Sequence, residues 1–269
     1  MPELPEVETI VKGLKSYFLD KKIDDFHCHN QKIIKNYNDF ATQILNNYIK
    51  DIKRHGKYIF ILLGNNKTIV IHLRMTGQIL IKPINEKLDK HSHLEIIFPN
   101  NKLVYRDIRK FGRFELVNTS EIGYFISSKK LSSDALVITL EEFTNNLKKK
   151  KGILKKTLLD QSVIAGLGNI YVDEVLNRVR LSPQFLTENL CADNISQMLK
   201  VIKETLKRAI SKKGTTFSDY VDISSNKGQF QNELRVYRRQ GASCYNCGSK
   251  IIKDKIAGRG THYCPNCQN

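Results

Sequence analysis

The chain has 269 residues, 41% of them apolar, and 44 Lys and Arg against 27 Asp and Glu give it a formal net charge of +17. That length suits two modest domains with or without an appendage, and the apolar content excludes a disordered or collagen-like chain. The charge favours polyanions, nucleic acid foremost, though Lys-rich coding bias and a partner of anionic lipid or acidic protein fit it too.

Taken in chain order, Val7, Ile10, Val11, Leu14 and Phe18 recur at helical spacing and predict a helix over Pro5 to Leu19. From about Ile23 to Val117 the texture is that of strands. YIFILL, TIVIHL, QILIKP, HLEIIF, KLVYRD and RFELVN are short β-rich runs divided by Asn, Gly and Pro. They predict a β-sandwich or flattened barrel, interrupted by a helix around Phe40 to Asn47. Beyond Leu131, helices are predicted at Leu140 to Lys149 with Thr139 as N-cap, Ile153 to Leu159, Asn169 to Arg178, and Ala192 to Lys212. Gly166 and Gly168 bracket a turn before the third of these. Residues Gly214 to Gly228 are polar and predict a long loop, a kind of segment that is more often functional than a short one. No apolar run reaches the ~18–20 residues of a membrane span. MPELPEVETI lacks the basic and apolar regions of a secretory signal, so a cytoplasmic protein is expected.

Cys244-x2-Cys247 and Cys264-x2-Cys267 fall within the spacing of a four-thiolate zinc site. Each pair lets two thiolates converge on one knuckle, and two knuckles complete a tetrahedral shell. With every position filled by protein, the zinc is expected to be structural. The intervening segment predicts a hairpin around AGRG. Paired disulfides fit less well in a cytosolic chain. Cys28 and Cys191 are expected to be buried structural thiols.

Removal of Met1 leaves Pro2 with a free secondary amine, partly neutral near the ordinary α-amino pKa of ~8. Such an amine can attack an aldehyde-level carbon and form an iminium, a strong electron sink for elimination. Glu3 and Glu6 place carboxyls beside it, although an acidic first turn also suits a helix N-terminus.

MPELPEVET, HLRMTG, RKFGRF, DQSVIAGLGNIYVDE and AGRGTHYCPNCQ together resemble the bacterial formamidopyrimidine-DNA glycosylases of the formamidopyrimidine–endonuclease VIII family. The blocks run from one end of the chain to the other in the family's order. The resemblance implies an α+β multidomain chain: a catalytic β-sandwich with flanking helices over 1–131, a helix–two-turn–helix domain with a lesion-capping loop over 132–240, and a zinc-finger hairpin over 241–269. It implies base-excision repair of damaged double-stranded DNA by a monomeric glycosylase and AP lyase. Oxidised purines, namely 8-oxoguanine and formamidopyrimidines, would be excised, and β,δ-elimination would follow.

By the same resemblance Pro2 is the nucleophile and Glu3 the acid that protonates the deoxyribose ring oxygen. Lys57 is a proton donor in β-elimination, and Arg259 serves δ-elimination. Met75, Arg109 and Phe111 fill the void left by the extruded nucleotide, with Arg109 on the orphaned cytosine. Taken alone, Met75 and Phe111 also fit ordinary core residues, although an aromatic among the three basic residues of RKFGR is poorly suited to full burial. Asn169 would hold phosphate, His72, His91 and Lys150 would contact DNA, and Glu174 would orient neighbours. One structural zinc is the expected cofactor. Leu4 argues against the endonuclease VIII branch, which begins Pro-Glu-Gly-Pro. SSKKLSSDAL departs from the family's linker, and Ile108 stands where Pro or Val is common. The alternatives are the same scaffold acting on oxidised pyrimidines, and a non-catalytic zinc-ribbon binder.

Overall fold

A computed structural model describes residues 1–268. Met1–Ile126 and Lys212–Gln229 form one compact unit; Ser127–Ser211 and the segment from Phe230 onward form another.

The first unit holds two four-stranded antiparallel sheets. One has the order β1 (Asp25–Cys28), β6 (Ser92–Ile97), β7 (Asn101–Asp107), β5 (Gly77–Pro83). The other runs β2 (Ile49–His55), β3 (Tyr58–Leu63), β4 (Lys67–His72), β8 (Arg113–Asn118). Ile59, Ile61, Ile69, Ile71 and Phe114 of the second sheet share one buried core with Ile79, Leu94, Ile96, Leu103 and Tyr105 of the first. Helix α1 (Leu4–Phe18) adds Val7, Ile10, Val11, Leu14 and Phe18 to that core, and α2 (Tyr37–Ile44) adds Phe40 and Ile44. YIFILL is apolar on both faces for a reason. Its outward Phe60 packs with Val70 under Phe125 of α3 (Ile122–Ser128).

In the second unit the helices are α4 (Leu140–Lys148), α5 (Leu154–Leu159), α6 (Asn169–Arg178) and α7 (Ala192–Ser211). The Thr139 hydroxyl accepts the Glu142 N–H at 3.1 Å, the expected N-cap of α4. Strands β9 (Ile252–Ile256) and β10 (Arg259–Tyr263) form the hairpin. Its two-residue turn has φ of 50° at Ala257 and 73° at Gly258. Positive φ at both turn positions matches the right-handed twist of a tight hairpin.

Two groupings differ from the sequence reading. The 212–229 loop belongs to the sheet unit rather than to the helices, because it is bonded there. The Ile81 N–H donates to the Ile223 carbonyl at 2.9 Å, and Ile223 packs so closely on Gly13 of α1 that a Cβ there would meet it at 2.5 Å. The four-cysteine segment groups with the helices, tied by Gln268, whose Nε2 donates to the Leu181 carbonyl at 3.0 Å. Cys191 is exposed, not buried; its thiol lies 3.1 Å from Asn194 Oδ1 in the approach to α7. Cys28 is half-buried. Among the described residues no helix is long and apolar enough to cross a membrane.

Candidate active site

Pro2 and Glu3 lie immediately before α1 and are both buried, Glu3 being 2% exposed. Glu3 is the N-cap residue of a reciprocal capping box. Its side chain accepts the Glu6 N–H, and a Glu6 oxygen accepts the Glu3 N–H at 2.8 Å. The other Glu6 oxygen accepts the Thr215 N–H at 2.8 Å. One carboxylate therefore joins the N-terminus to the base of the polar loop.

That base is narrow. Gly214 has φ of 79°, and a Cβ on it would meet Glu6 Oε1 at 2.7 Å. Gly228 N–H donates to Thr216 Oγ1 at 2.8 Å, and a Cβ on Gly228 would meet the Gly214 carbonyl at 2.3 Å. Tyr220 closes the loop from within, its hydroxyl donating to the Lys213 carbonyl at 3.0 Å. Burial, with the Glu6 charge adding, pushes the Tyr220 phenol far above its ordinary range.

Lys57 sits in the turn between β2 and β3, 8% exposed. Arg54 ties this turn to α1. Its Nε donates to Glu8 Oε2 at 2.8 Å and its Nη1 to the Gly56 carbonyl at 3.0 Å. His72, opposite Tyr58 at the end of β4, is half-buried against the Tyr58 ring. Burial, then the positive charges of Arg74 and Lys57, push its imidazole down to about 3. Its Nδ1 accepts the Arg74 N–H at 3.0 Å, so the neutral ring carries its proton on Nε2. His91 is half-buried, its N–H bonded to Asp89 Oδ1 at 3.0 Å.

Met75, Arg109 and Phe111 come together on two neighbouring turns. Met75 is 43% and Phe111 46% exposed, which removes the core reading of both. The Arg109 guanidinium lies 4.6 Å from the centre of the Phe111 ring, and its Nη1 is 3.1 Å from Met75 Sδ.

In the second unit, Asn169 opens α6 after the extended N-cap Gly168, and its Nδ2 donates to the Gly260 carbonyl at 2.9 Å. Its Oδ1 is buried with no partner among the described residues. Arg259, next to Gly260, is exposed at the start of β10. Lys150 was expected to contact DNA. It is ion-paired with Asp160 Oδ2 at 2.8 Å and donates to Ser162 Oγ at 3.1 Å, bracing the turn between α5 and α6.

The four cysteine sulfurs lie within 4.8 Å of one another, with Sγ–Sγ separations of 3.9 Å for Cys244–Cys267 and 3.5 Å for Cys247–Cys264. A tetrahedron of Zn–S bonds of about 2.3 Å requires separations of about 3.8 Å, so the four thiolates suit one structural zinc.

Sequence reasoning missed the groups that hold these residues in place. Lys155 and Asp173 are both fully buried. Lys155 Nζ donates to Asp173 Oδ1 at 2.6 Å and to Thr261 Oγ1 at 2.7 Å, while Asp173 Oδ2 accepts the His262 N–H at 2.9 Å. They clamp the hairpin to α5 and α6. Glu174 was expected only to orient neighbours. It does so by accepting the N–H groups of Arg235, Val236 and Tyr237 at 2.9–3.0 Å. Burial raises its carboxyl despite those bonds.

Comparison with known proteins agrees along the whole chain. Residues 1–114 match the Formamidopyrimidine-DNA glycosylase N-terminal domain, 131–221 the Formamidopyrimidine-DNA glycosylase H2TH domain, and 244–269 the zinc finger found in FPG and IleRS. The formamidopyrimidine-DNA glycosylase of Carboxydothermus hydrogenoformans is 40% identical, with 100% of each chain covered. That of Ligilactobacillus salivarius is 38% identical over 100% of this chain and 99% of its own. A variant of the Lactococcus lactis enzyme, solved in complex with DNA containing Fapy-dG, superposes with a TM-score of 0.95 at 35% identity, covering 100% of both chains. The chain belongs to the formamidopyrimidine-DNA glycosylase family.

Proposed function

We propose that this base-excision repair glycosylase removes oxidised purines from duplex DNA through the Pro2 amine and then cleaves the abasic strand. The observation that carries the reading is the buried Pro2–Glu3 pair, held at the N-terminus of α1 and joined through Glu6 to the loop over 212–229. After Met1 is removed, the amine attacks C1′ of the extruded nucleotide and the bond to the base breaks. Glu3 protonates the deoxyribose ring oxygen, the sugar opens, and an iminium remains on Pro2. Loss of a proton from C2′ expels the 3′ phosphate, with Lys57 as proton donor. Loss of a second proton, from C4′, expels the 5′ phosphate, with Arg259 serving that step.

Extrusion costs a few kcal/mol of stacking. Met75 and Phe111 supply an apolar wedge and an aromatic face for the gap, and Arg109 supplies donors for the orphaned cytosine. His72 offers a neutral Nε2 donor to phosphate, with His91 beside the same strand. The backbone amides at the start of α6 suit a second phosphate, next to Asn169. Lys150 acts on that turn through Asp160. The loop over 215–228 covers the extruded base. Cys244, Cys247, Cys264 and Cys267 would hold one zinc with all four positions filled by thiolate, which would brace the two knuckles and leave no position open for chemistry. A monomer working in the cytoplasm, where thiols stay reduced, fits the four cysteines.

Borohydride trapping on a duplex with one 8-oxoguanine opposite cytosine tests this directly. The expected adduct maps to Pro2 and is lost in Pro2→Gly and Glu3→Gln. Normal strand cleavage by either variant would overturn the mechanism.

A further inference from the structure

The carboxylate of Asp107 ends β7 and is fully buried. One oxygen accepts from the Thr76 hydroxyl and from the Arg109 N–H at 3.1 Å. The other accepts from the Tyr105 hydroxyl at 2.8 Å and from the Gly112 N–H at 2.9 Å. These four bonds fill the acceptor capacity of a carboxylate. Thr76 adjoins Met75; Arg109 and Gly112 frame the turn that ends in Phe111. The Arg109 N–H also lies 3.2 Å from the Thr76 hydroxyl, so three groups close on one another.

The surroundings are shaped for this arrangement. A Cβ on Gly112 would lie 1.6 Å from the Tyr105 hydroxyl, and one on Gly77 2.7 Å from it. Only glycines let the phenol reach Asp107 from the core. His93, 4% exposed, adds an Nε2 contact of 2.8 Å to the Asp107 carbonyl. Burial opposes the charge, but the bonds from Thr76, Gly112, Tyr105 and Arg109 outweigh it and hold the carboxyl below its ordinary range. A buried carboxylate is costly, and an apolar side chain would close a strand end more cheaply. An apolar side chain could not bond both turns at once.

We propose that Asp107 is the positioning residue for opposite-base reading, fixing Arg109 and Phe111 in register with Met75. This rests on the assignment of that trio to the gap left by the extruded nucleotide. Asp107 touches no substrate. It acts through the backbone of Arg109 and the hydroxyl of Thr76.

Asp107→Asn turns one acceptor into a donor aimed at donors. Thr76→Val removes the bridging hydroxyl and leaves the Tyr105 and Gly112 bonds in place, so it tests the idea even where the first variant folds poorly. The measurement is the ratio of kcat/KM for 8-oxoguanine opposite cytosine to that opposite adenine, alongside cleavage of a single-stranded abasic oligonucleotide, which has no opposite base. Both variants should lower the ratio by at least about fivefold, towards that of Arg109→Ala, with single-strand cleavage within about twofold of wild type. Thr76→Ser should restore the ratio. In the double variant Asp107→Asn with Arg109→Ala, the ratio should be no lower than in Arg109→Ala alone. An unchanged ratio in both Asp107→Asn and Thr76→Val, with Arg109→Ala impaired, would overturn the role of Asp107 alone. An unchanged ratio in Arg109→Ala would overturn the reading of the trio and this proposal with it. A parallel loss of single-strand cleavage would reduce Asp107 to a structural residue.

Discussion

Lys155→Met should weaken both the helical unit and the chemistry of the hairpin. The variant removes the cation from Asp173 and the two Nζ bonds of 2.6 and 2.7 Å, at a site where both side chains are 0% exposed. Asp173 keeps the His262 N–H, but its charge stays buried. Breaking a buried pair by deleting one partner costs about 3–5 kcal/mol. At ~2–4 °C per kcal/mol, the transition of this unit should fall by roughly 6–20 °C. Replacing both ions by apolar groups is near neutral in many proteins, so Lys155→Met with Asp173→Leu should recover part of the loss. Because Asn169 bonds Gly260 and Thr261 bonds Lys155, the hairpin that presents Arg259 should loosen. The δ-product should then decline before the β-product. Calorimetry and a gel that resolves the two products give both readouts. A shift under about 2 °C, or a double variant worse than the sum of the singles, would refute the reasoning.

Gly214→Ala should cut Pro2 trapping by at least about tenfold and also lower the melting temperature, because the new methyl sits at positive φ and displaces the Glu6 carboxylate that bonds Thr215 and Glu3; wild-type trapping would contradict this. His72 stays neutral until about pH 3, whereas the unfolded chain protonates it near 6.5. Between those values the unfolded state holds the extra proton, so His72 makes stability fall as pH falls through that window. His72→Gln should flatten the difference between urea melts at neutral and mildly acid pH, and an unaltered slope would count against a neutral imidazole. Chelation of zinc should lower DNA affinity more than it lowers the melting of the sheets, since the sheets have a core of their own to which, among the described residues, the four-cysteine segment contributes nothing. Circular dichroism and binding titrations with and without chelator decide it, and collapse of the whole chain would oppose it.

The elements that follow one period were legible in the sequence. Tyr58–Leu63 and Asn169–Arg178 have the predicted limits, and α1 differs by one residue at each end. Strands β1 and β2 were not singled out. β2 reads IKDIKRH, with only Ile49 and Ile52 turned into the core among five charged or titratable neighbours. Helix α3 was missed because it has only seven residues and is parted from β8 by no more than the single turn Thr119–Glu121. Motifs gave the residues that end in reactive groups, but not those that hold them. Asp107 left one trace, an acid on the inward face that Leu103 and Tyr105 share. Lys155 left none, lost among the lysines of a basic chain. The bond from Glu6 to Thr215 spans 209 positions, beyond the reach of any local pattern.

That separation also sets an order of events during synthesis. Glu6 leaves the ribosome early, and Thr215 follows 209 residues later. At about 5–20 residues per second the delay is roughly 10–40 s. Throughout it Glu6 lacks the Thr215 N–H, and the loop cannot close over the start of α1. In the completed fold Pro2 is buried and Glu3 is 2% exposed, while Met1 is 51% exposed. The start of α1 therefore waits for a segment made near the end of synthesis before the Glu6 carboxylate finds its second backbone partner.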